Sequence, residues 1–170
     1  HLTRYDGLPT RQKLKMLTVE QGLPEGLHGF INEMKQAYTM EIVHAQCKPR
    51  FAQEYALSKL KSEGFKLAVA SNSIRTTVEL IMQKSSLDGY LDIRLSNEDV
   101  TKPKPDPEIF AKAIEMLGLT PREVLVIEDN ENGIKAARAS GAHVMEVKEV
   151  EEVEYENIAS KLSKIERGGN

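Results

Sequence analysis

Apolar residues along this chain fall into two textures. Up to Gly64 they recur at helical spacing. Thr10 is placed to cap a helix carrying Leu14, Leu17 and Val19 that stops at Gly22. A second helix opens after Pro24 with acidic Glu25 and carries Leu27, Phe30, Ile31, Met34, Tyr38 and Ile42. A third follows Pro49, turns Phe51, Tyr55, Leu57 and Leu60 inward, and ends at Gly64. Beyond Gly64 the pattern shortens. Lys66-Leu67-Ala68-Val69-Ala70 is nearly continuous in apolar residues, as a strand buried on both faces requires. Ser71-Asn72-Ser73 ends it, and a helical pattern follows through Val78, Ile81 and Met82. The unit recurs as Val124-Leu125-Val126-Ile127, then Glu128-Asp129-Asn130, then a helix with Ile134, Ala136 and Ala137. A third strand over 143–147 follows the turn at Gly141, and 155–165 reads as a closing helix.

Strands alternating with helices of these lengths predict an α/β fold, a parallel sheet wrapped by helices. In such sheets the ligand crevice lies just past the carboxyl ends of the strands. Ser71 and the Glu128-Asp129 pair both stand there.

Composition narrows the field. The 170 residues fit one domain, or a core with a small helical accessory. A net charge of −3 gives no footprint for nucleic acid or an anionic membrane surface. No apolar run is long enough to span a bilayer. The single cysteine, Cys47, excludes an internal disulfide and points to the cytoplasm. His1, His28, His44 and His143 have no metal-ligand spacing. His1 in place of an initiating Met leads us to expect further sequence upstream.

Two adjacent carboxylates after four aliphatic residues are costly unless compensated. Mg²⁺, which takes one or two carboxylates with water and phosphate oxygens, is one compensator for Glu128 and Asp129. A helix cap by Asp129 or Asn130 is the plainer role. Ser71 and Asn72, a hydroxyl and amide before a helix N-terminus, suit a phosphate; Ser73 is the competing cap. Lys102 lies in Thr101-Lys102-Pro103-Lys104-Pro105-Asp106-Pro107, where prolines stiffen the backbone. It is placed to neutralise both phosphate and carboxylates, whereas Lys104 reads as a solvated loop lysine.

In combination these segments resemble the haloacid dehalogenase superfamily, in its β-phosphoglucomutase and phosphoglycolate phosphatase branch. Val69-Ala70-Ser71-Asn72-Ser73 is similar to motif II, whose Ser or Thr binds the transferring phosphoryl group. Lys102-Pro103-Lys104-Pro105-Asp106 is similar to the "KPxPD" motif III, and the stretch from Val126 through Glu128, Asp129 and Gly133 to Gly141 is similar to motif IV. Tyr5-Asp6-Gly7-Leu8-Pro9-Thr10-Arg11 resembles the start of the helical cap, with Arg11 a candidate contact to substrate phosphate. The resemblance implies a cap over 1–47 and a Rossmann-like core over 48–170. It also implies a Mg²⁺-dependent phosphatase acting on a small phosphorylated metabolite such as a sugar phosphate, with Ser71 and Lys102 catalytic, Asn72 and Arg11 binding phosphate, and Glu128 and Asp129 binding metal.

The family's motif I, "DxDG" after an apolar strand, supplies the nucleophile and does not occur here. Asp6-Gly7 has no strand before it, and Asp88-Gly89 sits in a turn-like segment. In the family that strand lies between those ending at Ser71 and Glu128, so an N-terminal peptide completing the sheet is an expected partner. This chain alone is then expected to be inactive. A β-phosphoglucomutase-like phosphotransferase and a non-catalytic binding module are the alternatives. A response-regulator receiver ranks well behind, because its acids come in the first strands and it has no helical cap.

Overall fold

The computed structural model describes residue 5 and residues 7–168; His1 and Asp6, on which two expectations rest, lie outside them. Two helices lead. Helix α1 (Thr10–Gln21) begins after Pro9, so Thr10 is its first residue and not its cap. Helix α2 (His28–Gln46) is preceded by one 3₁₀ turn over Glu25–Leu27. Helix α3 (Phe51–Ser62) leads into β1 (Ala68–Ala70), α4 (Arg75–Lys84), β2 (Ile93–Leu95), α5 (Glu108–Leu117), β3 (Leu125–Glu128), α6 (Glu131–Ala139), β4 (His143–Glu146) and α7 (Tyr155–Glu166).

Among the described residues strand pairing is parallel, in two separate pairs. Ala68 lies opposite Ile93 and Ala70 opposite Leu95, while Leu125 lies opposite His143 and Glu128 opposite Glu146. Among the described residues no strand joins β1 to β3. Between them runs an apolar groove of about 290 Å³ lined by Leu67, Val69, Leu125 and Ile127.

Alternation along β3 explains how the half-sheets stay together, because successive side chains leave a strand on opposite faces. Val126 joins Leu95, Ile109, Phe110, Ala113, Ala136 and Ala137 on the side of α5 and α6. Leu125 and Ile127 instead pack with Leu60, Ala56 and Ile158 on the side of α3 and α7. The first cluster draws side chains from both half-sheets, and the second joins β3 and β4 to Leu67, just before β1. Ile109 is fully buried, and such burial contributes about 1.5–3 kcal/mol.

Apolar residues of two expected helices are in part turned outward, although Leu60 of α3 is buried as expected. On α2, Phe30 is 61% exposed, and Met34, Tyr38 and Ile42 are exposed with it; only Val43 of that helix is buried. Phe51, expected inside, is 82% exposed and stacks on Tyr55 with ring centroids 6.0 Å apart. Helical spacing shows that a helix has an apolar face, but it does not show what covers that face.

The loop after β2 is fixed electrostatically. Ser96 N–H and hydroxyl each donate to Asp99 at 2.8 Å, and Arg75 donates to the same carboxylate at 2.7 Å. The Ser96 amide foremost, then its hydroxyl and Arg75, hold Asp99 down from an ordinary 3.8 to about 2. A depressed carboxylate pKa stabilises the fold above the unfolded-state value, and that stabilisation fades as pH falls through the folded one. Between about pH 4 and 2 the wild type is therefore expected to lose urea resistance faster than Asp99→Asn. Parallel loss in the two proteins would contradict this.

Candidate active site

The carboxyl ends of β1 and β3 open into a crevice of about 580 Å³, roofed by the start of α1 and the middle of α2. Ser71, Asn72, Lys104 and Glu128 line its floor. The β1–β2 ladder continues into Ser71, whose N–H donates to the Leu95 carbonyl at 2.9 Å. Its Oγ accepts from Ser73 N–H at 3.1 Å, which leaves the hydroxyl proton available to a ligand. Ser73 is not the cap of α4, since the residue at the N-cap position is Ile74 and no side chain caps this helix.

The structure brings Lys104, and not Lys102, to the floor. The loop before α5 is pinned by Glu108, which accepts from Thr101 N–H at 2.8 Å and Lys102 N–H at 2.7 Å. The Thr101 amide is the main cause of the lowered Glu108 pKa. The chain then reverses in a turn closed by Asp106 N–H on the Pro103 carbonyl at 3.0 Å, with Lys104 and Pro105 at its tip. The Lys102 side chain is left outside, 72% exposed, 4.0 Å from Asp106. Lys104 turns inward. Its ammonium donates to Glu128 at 2.9 Å and to the Ala70 carbonyl at 3.1 Å, and sits 4.5 Å from the centroid of the Phe110 ring. The pair is buried, with side chains 8% and 14% exposed. The expectations of a catalytic Lys102 and a solvated Lys104 are thus reversed in placement. Two successive Lys-Pro pairs made the choice invisible in sequence.

Asn72 ties three segments together. Its Oδ1 accepts from Lys104 N–H at 3.1 Å, and its Nδ2 donates to the carbonyls of Lys104 at 3.3 Å and Gly7 at 2.9 Å. Gly7, at φ +68°, approaches Asn130 so closely that a Cβ would overlap the Asn130 amide.

Glu128 and Asp129 do not converge. Glu128 ends β3 on the same face as Val126 and so meets Lys104; Asp129, the next residue, is exposed and does not line the crevice. Asn130 caps α6, its Oδ1 accepting from Asn132 N–H at 2.9 Å, which settles the capping question raised by the sequence. Among the described residues no three acidic, His or Cys side chains gather as a metal cluster. Asp88 is occupied elsewhere, held by Arg94 at 2.5 Å.

On the roof, Arg11 lines the crevice, as do three groups that sequence reading missed: Lys13, Lys35 and Gln36. The signal for them was weak, because a charged residue on a helix is usually solvated. Among the described residues the lining cations are Arg11, Lys13, Lys35 and Lys104, and the lining acid is Glu128. An anion is therefore the natural guest.

Comparison with known proteins agrees with this geometry. Residues 1–147 match the family described as haloacid dehalogenase-like hydrolase. The phosphorylated carbohydrates phosphatase of Thermotoga maritima is 29% identical over 141 residues, 81% of this chain and 63% of that protein. The phosphoglycolate phosphatase of Aquifex aeolicus is 29% identical over 141 residues, 83% of this chain and 64% of that one. This chain thus spans less than two thirds of these relatives' length. The crystal structure of a beta-phosphoglucomutase from Clostridium difficile, 19% identical, shares the fold with a TM-score of 0.77 over 95% of this chain and 80% of that one. Among the described residues no helix is long and apolar enough to cross a membrane.

Proposed function

Since the chain belongs to the haloacid dehalogenase-like hydrolase family, we propose that it forms the phosphate-binding part of a cytoplasmic phosphatase acting on a small phosphorylated metabolite such as a sugar phosphate. The observation that carries this reading is the strand-end constellation of Ser71, Asn72 and Lys104 under a cationic roof. In it the Ser71 hydroxyl donates to a phosphoryl oxygen, Lys104 offsets the charge of phosphate and neighbouring carboxylates, and Arg11 meets the substrate from the cap over 1–47. Lys104 takes the role that sequence reading gave to Lys102, because charge compensation needs a group within a few ångströms in a poorly solvated place.

The reaction belonging to such a site is phosphoryl transfer to an aspartate. The ester P–O bond breaks as a P–O bond to the carboxylate forms, and the leaving oxygen takes a proton. Water then attacks the acyl phosphate, restoring the carboxylate and releasing phosphate. No residue of this chain is assigned as that nucleophile. The groove between β1 and β3 is the seat we propose for the strand that carries it, an N-terminal segment pairing with the backbone edges left open there. Hard-oxygen donors at the strand ends suit Mg²⁺. Glu128 faces the crevice engaged by Lys104 and Asp129 is exposed beside it, so the ion would rest between this strand end and the carboxylates of the proposed N-terminal strand. Bound there, the ion would neutralise phosphoryl charge.

Titrated with orthophosphate, the chain is expected to bind, and Ser71→Ala to bind about tenfold more weakly, the effect of losing one hydrogen bond to a charged group. Extended by an apolar strand bearing Asp-x-Asp, it is expected to release phosphate from sugar phosphates only with Mg²⁺ present. The reading fails if the chain ignores orthophosphate and the extended protein is inert.

A further inference from the structure

A separate cavity lies away from the crevice, where the chain turns from α2 into α3. Its volume of about 420 Å³ falls within the range of small-molecule sites, roughly 300–1,000 Å³. Among the described residues it shares no lining with the crevice. The walls are apolar: Ile42 and Val43 from α2, Ile81 and Met82 from α4, then Leu87 and Val150. Ile42 and Val150 are exposed, so apolar surface at this cavity is left to water. The lining cations, Lys48 and Arg50, also stand at the exposed rim, and Arg50 pairs with Glu151 at 2.6 Å. The interior is therefore suited to an uncharged guest.

One polar group of the lining lacks its counterpart. Gln53, in the first turn of α3, is only 8% exposed. Its Nε2 donates to the Val150 carbonyl at 2.9 Å and the Val153 carbonyl at 3.0 Å. Those two bonds fix which way the amide faces, because turning it over would set Oε1 against two carbonyl oxygens. Oε1 is left shielded from solvent with no donor. A buried acceptor in that state costs free energy, which a matching donor restores. The neighbouring protons are engaged already. Ser85 Oγ donates to the Ile81 carbonyl at 2.7 Å, and the Cys47 thiol donates to the same carbonyl at 3.7 Å. What the cavity lacks is a donor and not an acceptor.

We infer that this cavity is a binding site for a small uncharged molecule with an apolar body and one hydrogen-bond donor, of the kind an aryl amide presents. The apolar body covers Ile42 and Val150, and the donor is directed at Gln53 Oε1. The site is distinct from the crevice and stands or falls independently of the phosphatase reading.

Cys47, the single cysteine, lines the cavity and provides the test. Its thiolate attacks a disulfide probe, forms a mixed disulfide and releases one equivalent of probe thiol. Two probes are compared in excess 2-mercaptoethanol, with capture read by intact mass: bis[2-(benzoylamino)ethyl] disulfide, and bis[2-(benzoyloxy)ethyl] disulfide, which keeps the ring but replaces N–H by an ester oxygen. The amide is expected to be captured about fivefold more strongly than the ester, the effect of one neutral hydrogen bond. In Gln53→Met, which keeps the reach of the side chain and removes the acceptor, the ratio is expected to fall towards one. Ile42→Trp, a change at an exposed position that narrows the cavity and leaves Gln53 in place, is expected to lower capture of both probes. Equal capture of amide and ester by the wild type overturns the inference. So does capture no greater than that of 2-mercaptoethanol itself, or a preference that persists in a folded Gln53→Met protein.

Discussion

Lys104→Ala is expected to cost about 3–5 kcal/mol of folding stability, the penalty for removing one partner of a buried ion pair. Lys102→Ala should change stability by less than about 0.5 kcal/mol, as surface substitutions usually do. The contrast follows from placement. Lys104 spends its donors on Glu128 and the Ala70 carbonyl over an aromatic face, and without it the Glu128 carboxylate is left in a poorly solvated pocket. Lys102 reaches only Asp106, at 4.0 Å from an exposed position. Urea unfolding of both variants decides the matter, and the double change Lys104→Met/Glu128→Gln should recover a substantial part of the loss, because no charge is then left unpaired. Equal effects at the two lysines would sink the assignment. Orthophosphate affinity should fall in the Lys104 variant and hold in the Lys102 variant.

Gly133→Val is expected to destabilise by about 1–3 kcal/mol through overpacking and to abolish orthophosphate binding as well. Gly133 is buried in the first turn of α6, and even a Cβ there would overlap the Glu128 carboxyl group. The acid is thus confined between Lys104 on one side and the α6 backbone on the other. Any side chain at 133 displaces Glu128, and with it the lysine that faces the phosphate. Chemical denaturation with phosphate calorimetry on the same variant provides the check. Wild-type phosphate affinity in Gly133→Val would show that the position of Glu128 does not govern the crevice.

The chain announced its strand–helix units because burial on two faces leaves an unbroken apolar run; β1 lies within the run read from sequence, and β3 is displaced from its run by one residue, to end at Glu128. Strand β2 gave no such run: its three residues include Arg94, whose guanidinium is drawn aside to Asp88. Ser71 and Glu128 were legible because strand ends in a parallel sheet face the crevice whatever else the chain does. The choice between Lys102 and Lys104 depended on a turn that no periodicity reports. Asp129 was paired with Glu128 by adjacency, whereas at a strand end adjacency sends side chains to opposite faces. The cationic roof was harder still, since Lys13 and Lys35 meet only through the packing of α1 on α2.

The division of the sheet has a mechanical meaning. Among the described residues no ladder of backbone hydrogen bonds shares a load across the line between β1 and β3, which makes a seam there. At the crevice end Lys104 bridges it, gripping the Ala70 carbonyl on one bank and the Glu128 carboxylate on the other. The group that readies the crevice for an anion therefore also acts as the rivet that sets the spacing of its two walls.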